Sequence, residues 1–317
     1  MSMPNAVQIV EVGPRDGLQN ENVMVATDIK VELINRLADA GLRSIEVGSF
    51  VSPKWVPQMA DTADVLRQIE RYENVSYSVL VPNKKGLAAA LACGVKEIAI
   101  FVTASEAFSW KNINCGIEES LVRLMPVFDI AREKNVKVRG YVSCVLGCPY
   151  QGDVKVEDVA RLAGRIVELG CYQVSLGDTI GIGTPLKAAR MVDAVLEHVA
   201  ADRIALHFHD TYGQALANIY ACLDRGVSVF DSSVAGIGGC PYAKGATGNV
   251  ATEELIYMLH GMGIATGVDL EKLVDTAEFL SRMLCKASSS RVARALTKGR
   301  VSDDLEMAVT ASPVCGA

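Results

Sequence analysis

The chain has no excess of basic charge. Lys and Arg total 31 against 37 Asp and Glu, a net charge of −6. Bulk electrostatics therefore do not favour nucleic acid or an anionic membrane as a partner. No apolar run is long enough to span a bilayer. Residues 1–7 have neither the basic start nor the apolar stretch of an export signal, so a cytoplasmic protein is expected. Low-complexity tracts and Pro/Ser-rich linkers are absent, and nothing marks a domain boundary. Neither Cys-x-x-Cys nor His-Glu-x-x-His occurs, which removes the common zinc patterns. The nine cysteines, an odd number without an export signal, read as reduced thiols and not as a disulfide scaffold.

What is present is a large hydrophobic fraction, 50% of 317 residues. That suits one α/β barrel with additions. β-Branched stretches at 7–12, 44–47, 75–81, 97–102, 136–142, 173–176, 204–209 and 229–233 read as strands. Segments with helical periodicity follow them at 27–40, 61–72, 85–93, 117–135, 156–169, 185–200, 214–225 and 252–262. Several end at glycine, and Pro185 suits a first helical turn. Eight such units predict a closed (β/α)8 TIM barrel. An open doubly wound sheet is the alternative, but Gly13-Pro14-Arg15-Asp16-Gly17 after the first strand is not its phosphate-binding turn. The reading is one catalytic domain: a barrel over about 7–265, a helical extension over about 266–296 and a tail over 297–317.

Barrel chemistry gathers at the C-terminal strand ends, and the polar residues fall there. Arg15, Asp16 and Gln19 follow strand one. Glu46 and Ser49 end strand two, and Ser175 and Asp178 end strand six. His207 and His209 end strand seven. A glycine-rich loop, 236–249, follows strand eight and contains Cys240 and Asn249. Each has a plain reading alone: an ion pair between Arg15 and Glu46, a helix start at Asp178, an incidental thiol at Cys240. His207 and His209 sit two residues apart, so in a strand they share a face. Alone, the pair reads equally as core histidines or as part of a metal site. With Asp16 and the Asn249 amide it becomes a mixed O/N donor set suited to Mg2+ or Mn2+.

The run from Val10 to Glu21, with Gly-Pro-Arg-Asp-Gly-Leu-Gln-Asn at its centre, resembles the opening signature of 3-hydroxy-3-methylglutaryl-CoA (HMG-CoA) lyases. Segments 140–152, 175–183, 207–218 and 231–249 carry the resemblance further. It spans about residues 7–290, within a wider superfamily of metal-bearing barrels that includes isopropylmalate and citramalate synthases.

The resemblance implies retro-Claisen cleavage of HMG-CoA to acetyl-CoA and acetoacetate. It assigns Asp16, His207, His209 and Asn249 to a divalent cation that chelates the substrate's C3 hydroxyl and carboxylate. Asp16, directly or through water, is the implied base. Arg15 would stabilise the enolate, Glu46 would hold Arg15, and Cys240 or His207 would protonate the carbanion. Gln19, Ser49, Ser175 and Asp178 are expected around the acyl-CoA substrate, and a homodimer or higher homo-oligomer is expected. One alternative is a lyase for a branched relative such as 3-hydroxy-3-isohexenylglutaryl-CoA. The other is a non-catalytic acyl-CoA-binding barrel. The basic stretch 285–294 reads as a solvated helix end, with the CoA phosphates as its alternative partner. Lys84 and Lys85 are a second candidate for those phosphates.

Overall fold

The computed structural model describes residues 3–238 and 248–298. Eight strands form a closed parallel barrel in sequential order. They are β1 (Gln8–Glu11), β2 (Ser44–Ser49), β3 (Ser76–Leu80), β4 (Glu97–Thr103), β5 (Lys137–Ser143), β6 (Gln173–Asp178), β7 (Ile204–Phe208) and β8 (Val229–Ser232). Closure is visible in β1, whose Glu11 pairs with Ile45 on one side and Ser232 on the other.

Strand alternation sorts the side chains into two environments. Leu206 and Phe208 of β7 and Phe230 of β8 belong to the large apolar layer between barrel and helices. Ala205 and Val229 join Val10 and Val12 in a small cluster on the opposite, inner face. By the period of two, His207 and Asp231 therefore point inward. Tyr141 lies in a second inner cluster with Leu80 and Ala99, which places Arg139 inside as well. These strands are buried on both faces, which is why they read as near-continuous apolar runs.

The helices are α1 (Thr27–Asp39), α2 (Thr62–Gln68), α3 (Lys84–Ala92), α4 (Glu106–Ile113), α5 (Ile117–Glu133), α6 (Val156–Leu169), α7 (Pro185–Val195), α8 (Ala215–Leu223), α9 (Thr252–Gly261) and α10 (Leu270–Met283). Helix α6 shows why they form. Its Val159, Leu162, Ala163 and Ile166 repeat at helical spacing and are buried as one stripe against the barrel. Among the described residues, no helix is long and apolar enough to cross a membrane.

Two elements go beyond the periodicity reading. Helix α4 is an extra helix after β4, begun by Ser105, whose Oγ accepts from the Phe108 N–H. Its apolar stripe is short, so the cap was its stronger signal. The second is the turn after β1. Gly13–Gly17 forms a single wide π-turn in which the Asp16 and Gly17 N–H groups both reach the Val12 carbonyl, at 2.7 and 3.2 Å. A Cβ on Gly17 would lie 2.6 Å from Ile237 Cγ1, so only glycine lets this turn pack under the loop after β8.

The stretch 285–294 is solvated only in part: its charged side chains are exposed, while its backbone packs against the turn after β8. Ser289 N–H donates to the Ala235 carbonyl at 3.0 Å, Ser290 and Ala293 are buried, and residues 291–298 are helical. Two of its cations meet carboxylates: Lys286 Nζ is 2.9 Å from Glu21, and Arg291 Nη2 is 3.6 Å from Asp210.

Candidate active site

The π-turn after β1 presents Arg15 and Asp16 side by side into the C-terminal mouth of the barrel. Arg15 Nε donates to Glu46 Oε1, and Arg15 Nη1 donates to Asp16 Oδ1 at 2.6 Å. Arg15 and Glu46 are both almost fully buried. Glu46 also accepts from the Tyr141 hydroxyl. The Tyr141 ring lies 5.4 Å from the Arg15 guanidinium and 5.1 Å from that of Arg139, so one ring spaces two cations. Burial, and then the charge of Glu46, push the Tyr141 hydroxyl well above its ordinary range, so it stays a donor.

His207 and His209 face Asp16 across the mouth. Their Nε2 atoms are 3.3 Å apart, and His207 Nε2 is 3.8 Å from Asp16 Oδ2. One ligand atom from each of these three residues lies within 4.8 Å of the others. Burial, and then His207, lower the His209 pKa to about 4, so its ring is neutral and has a lone pair at pH 7. Burial alone would raise Asp16, but Arg15 and the two imidazoles outweigh it and hold the carboxyl at about 2. Asp16 is thus an anion with little affinity for a proton. Around the mouth three carboxylates, Asp16, Glu46 and Asp231, stand against the guanidiniums of Arg15 and Arg139. Two imidazoles, that of His209 with a free lone pair, and a depressed carboxylate fit a divalent cation.

Asn249 closes the base of the loop after β8. Its Nδ2 donates to Asp16 Oδ2 at 2.9 Å and to the Ile237 carbonyl at 3.3 Å. The amide nitrogen therefore faces the carboxylate, and supplying the oxygen to a cation requires the amide to turn over. Cys240 lies outside the described residues.

The other expected residues are less directly placed. Ser175 is fully buried and its Oγ donates to Asp231 at 2.7 Å. Asp178 accepts from the N–H groups of Ile182 and Gly183, at 3.3 and 2.7 Å, and so shapes the turn after β6. Burial lifts its pKa to about 6 despite those bonds. Ser49 Oγ accepts from Val51 N–H at 3.1 Å. Gln19 is half-buried, one turn beyond Arg15.

Three site residues escaped the sequence reading: Arg139, Tyr141 and Asp231. For Arg139 and Asp231 a charged residue inside a short apolar strand was the signal, as in Val229-Phe230-Asp231-Ser232. Arg139 and Asp231 form a buried two-point ion pair, with Nη2 to Oδ1 at 2.7 Å and Nη1 to Oδ2 at 3.1 Å.

Comparison with known proteins adds a second line of evidence. The HMGL-like family model matches residues 6–280. A 3-hydroxy-3-isohexenylglutaryl-CoA/hydroxy-methylglutaryl-CoA lyase of Pseudomonas aeruginosa is 57% identical over 296 residues, covering 93% of this chain and 99% of that protein. The cytoplasmic 3-hydroxy-3-methylglutaryl-CoA lyase of Rattus norvegicus is 56% identical over 299 residues, covering 94% and 87%. The crystal structure of hydroxymethylglutaryl-CoA lyase from Pseudomonas aeruginosa superposes with a TM-score of 0.93 at 57% identity, over 94% of this chain and 100% of that one. An HMG-CoA lyase from Acinetobacter baumannii, in complex with coenzyme A and 3-methylmalate, gives 0.88 at 34% identity, over 93% and 96%.

Proposed function

The chain belongs to the HMGL-like family, and from that premise we propose that it is a carbon–carbon lyase that cleaves HMG-CoA to acetyl-CoA and acetoacetate. The observation that carries the reading is the placement of Arg15 beside the Asp16, His207 and His209 cluster, in a chain more than half identical to lyases named for this substrate.

The reaction breaks the C2–C3 bond of the substrate. The C3 hydroxyl gives its proton to solvent water and becomes the ketone of acetoacetate. The bond's electron pair passes to the thioester half as an enolate, which then takes a proton at carbon. Asp16, His207 and His209 would hold a divalent cation, Mg2+ or Mn2+, with Asn249 as a fourth ligand once its amide turns. Such a cation supplies positive charge that acidifies a hydroxyl and fixes the orientation of substrate oxygens. We assign Asp16 to cation binding ahead of proton abstraction, because a carboxyl held at about 2 is a poor proton acceptor. Arg15 commits Nε to Glu46 and Nη1 to Asp16, which leaves its Nη2 edge to receive the enolate oxygen. Glu46 and Tyr141 keep that guanidinium from swinging. Cys240 is proposed as the proton donor to the enolate.

The relative that also acts on 3-hydroxy-3-isohexenylglutaryl-CoA keeps a longer C3 branch as the second reading. Purified protein with Mg2+ or Mn2+ should be given HMG-CoA, the isohexenyl homologue and citramalyl-CoA, with cleavage products measured for each. Turnover of HMG-CoA is the expected result. Cleavage of only the other two overturns the reading.

A further inference from the structure

Asp231 sits on the inner face of β8 and is 1% exposed. Three donors and a ring nitrogen meet its carboxylate. Oδ1 accepts from Arg139 Nη2 at 2.7 Å. Oδ2 accepts from Ser175 Oγ at 2.7 Å and from Arg139 Nη1 at 3.1 Å, and lies 3.2 Å from His207 Nδ1. Arg139 is itself fixed, since its Nε donates to Gln173 Oε1 at 2.7 Å. The chain Gln173, Arg139, Asp231, His207 therefore crosses the barrel interior from β6 through β5 and β8 to β7.

That chain decides where the His207 proton sits. A guanidinium bound at two points keeps Asp231 ionised, and an ionised carboxylate only accepts. An unprotonated Nδ1 at 3.2 Å would set a lone pair against that anion. Nδ1 therefore carries the hydrogen and donates it. It is the other ring nitrogen, Nε2, that faces His209 and Asp16. His209 has no comparable support: among the described residues its buried Nδ1 finds no hydrogen-bond partner.

We propose that Asp231, anchored by Arg139, is a positioning residue that holds His207 by its Nδ1–H and so presents Nε2, the nitrogen facing His209 and Asp16, to the proposed cation site. The ligand half of this inference rests on the cation reading above. The tautomer half does not.

Asp231→Asn alone would leave the Arg139 charge buried and unpaired, which is expected to unfold the barrel. The test variant is therefore Arg139→Gln/Asp231→Asn, in which both charges are removed, with Ser175→Ala as a control that keeps the carboxylate. Nitrogen-15 NMR of the histidine rings in metal-free protein reads the tautomer, and electron paramagnetic resonance reads Mn2+ binding. Wild type and Ser175→Ala should show His207 as Nδ1–H. The folded double variant should show mixed tautomers and bind Mn2+ about 10–100-fold more weakly. A wild-type His207 with its proton on Nε2 overturns the proposal. So does a folded double variant that keeps both the Nδ1–H form and wild-type Mn2+ affinity. If the wild type binds no Mn2+, the cation reading and the ligand half fall together, and the tautomer still decides the role of Asp231.

Discussion

Asn249 Nδ2 lies 2.9 Å from Asp16 Oδ2, although 233 residues separate them in the chain. This contact ties the turn after β1 to the loop after β8 and shuts the barrel's seam on its functional side. It also makes position 249 a test of what the carboxylate is for. Asn249→Asp places two carboxylates against each other. The metal-free variant should lose melting temperature relative to wild type, and Mn2+ should restore most of the loss, since two anions repel until a cation joins them. Differential scanning calorimetry with and without Mn2+ measures both. An equal loss in the two conditions would argue against a cation at this place.

Arg15→Gln removes the charge that Glu46 and Asp16 hold in place. It should lower kcat by at least about 10²–10³-fold, the cost of losing one preorganised donor to a developing oxyanion. Steady-state kinetics measures this, and Mn2+ affinity should stay largely intact. Near-normal turnover would remove Arg15 from the mechanism.

His209→Ala should weaken Mn2+ binding by a larger factor than the loss of any neighbour that does not ligate. Titration followed by paramagnetic resonance gives the affinity. An unchanged value would count against His209 as a ligand.

Cys240→Ala should depress turnover by about 10²–10⁴-fold, the range for loss of a positioned general acid. Mn2+ affinity of the variant should equal that of wild type. Full activity in the alanine variant would move the proton donor elsewhere.

A pH prediction comes from the far side of the strand ends. Glu11 and Glu253 are both buried, and Glu253 accepts from the Ala235 N–H at 2.8 Å. Burial raises Glu11 to about 7; burial, and to a lesser degree Glu11, raise Glu253 to about 8. A carboxyl raised in the folded state binds its proton more tightly there than in the unfolded chain. Between the unfolded value of 4.5 and the folded value, stability therefore falls as pH rises, by up to roughly 1.4 kcal/mol per pH unit for each group. Glu253→Gln should flatten that slope between about pH 5 and 8 and leave the variant more stable than wild type above about pH 8. Urea unfolding across this range checks it, and a parallel slope in the variant would contradict it.

Much of the architecture was legible in residue order. A period of two inside the strands, a period of 3.6 between them and glycine at the helix ends are local properties, set by backbone geometry over a few residues. They located all eight strands and the polar residues at their C-terminal ends. Helix α4 escaped because its stripe is short, and α2 ends at Gln68, earlier than its apolar pattern, where Ile69 turns extended.

The roles of Arg139, Tyr141 and Asp231 belong to the tertiary structure. Alternation says that a side chain points inward. It does not say which residue of another strand meets it across the lumen, because that depends on the stagger with which the barrel closes. Closure sets Asp231 of β8 against Arg139 of β5 and His207 of β7 at once. Sequence by itself determined that two imidazoles share a face and that Arg15 and Asp16 follow the first strand. Only the closed barrel decided that the imidazoles meet Asp16, that Asn249 turns its nitrogen to the same carboxylate, and which nitrogen of His207 faces Asp231.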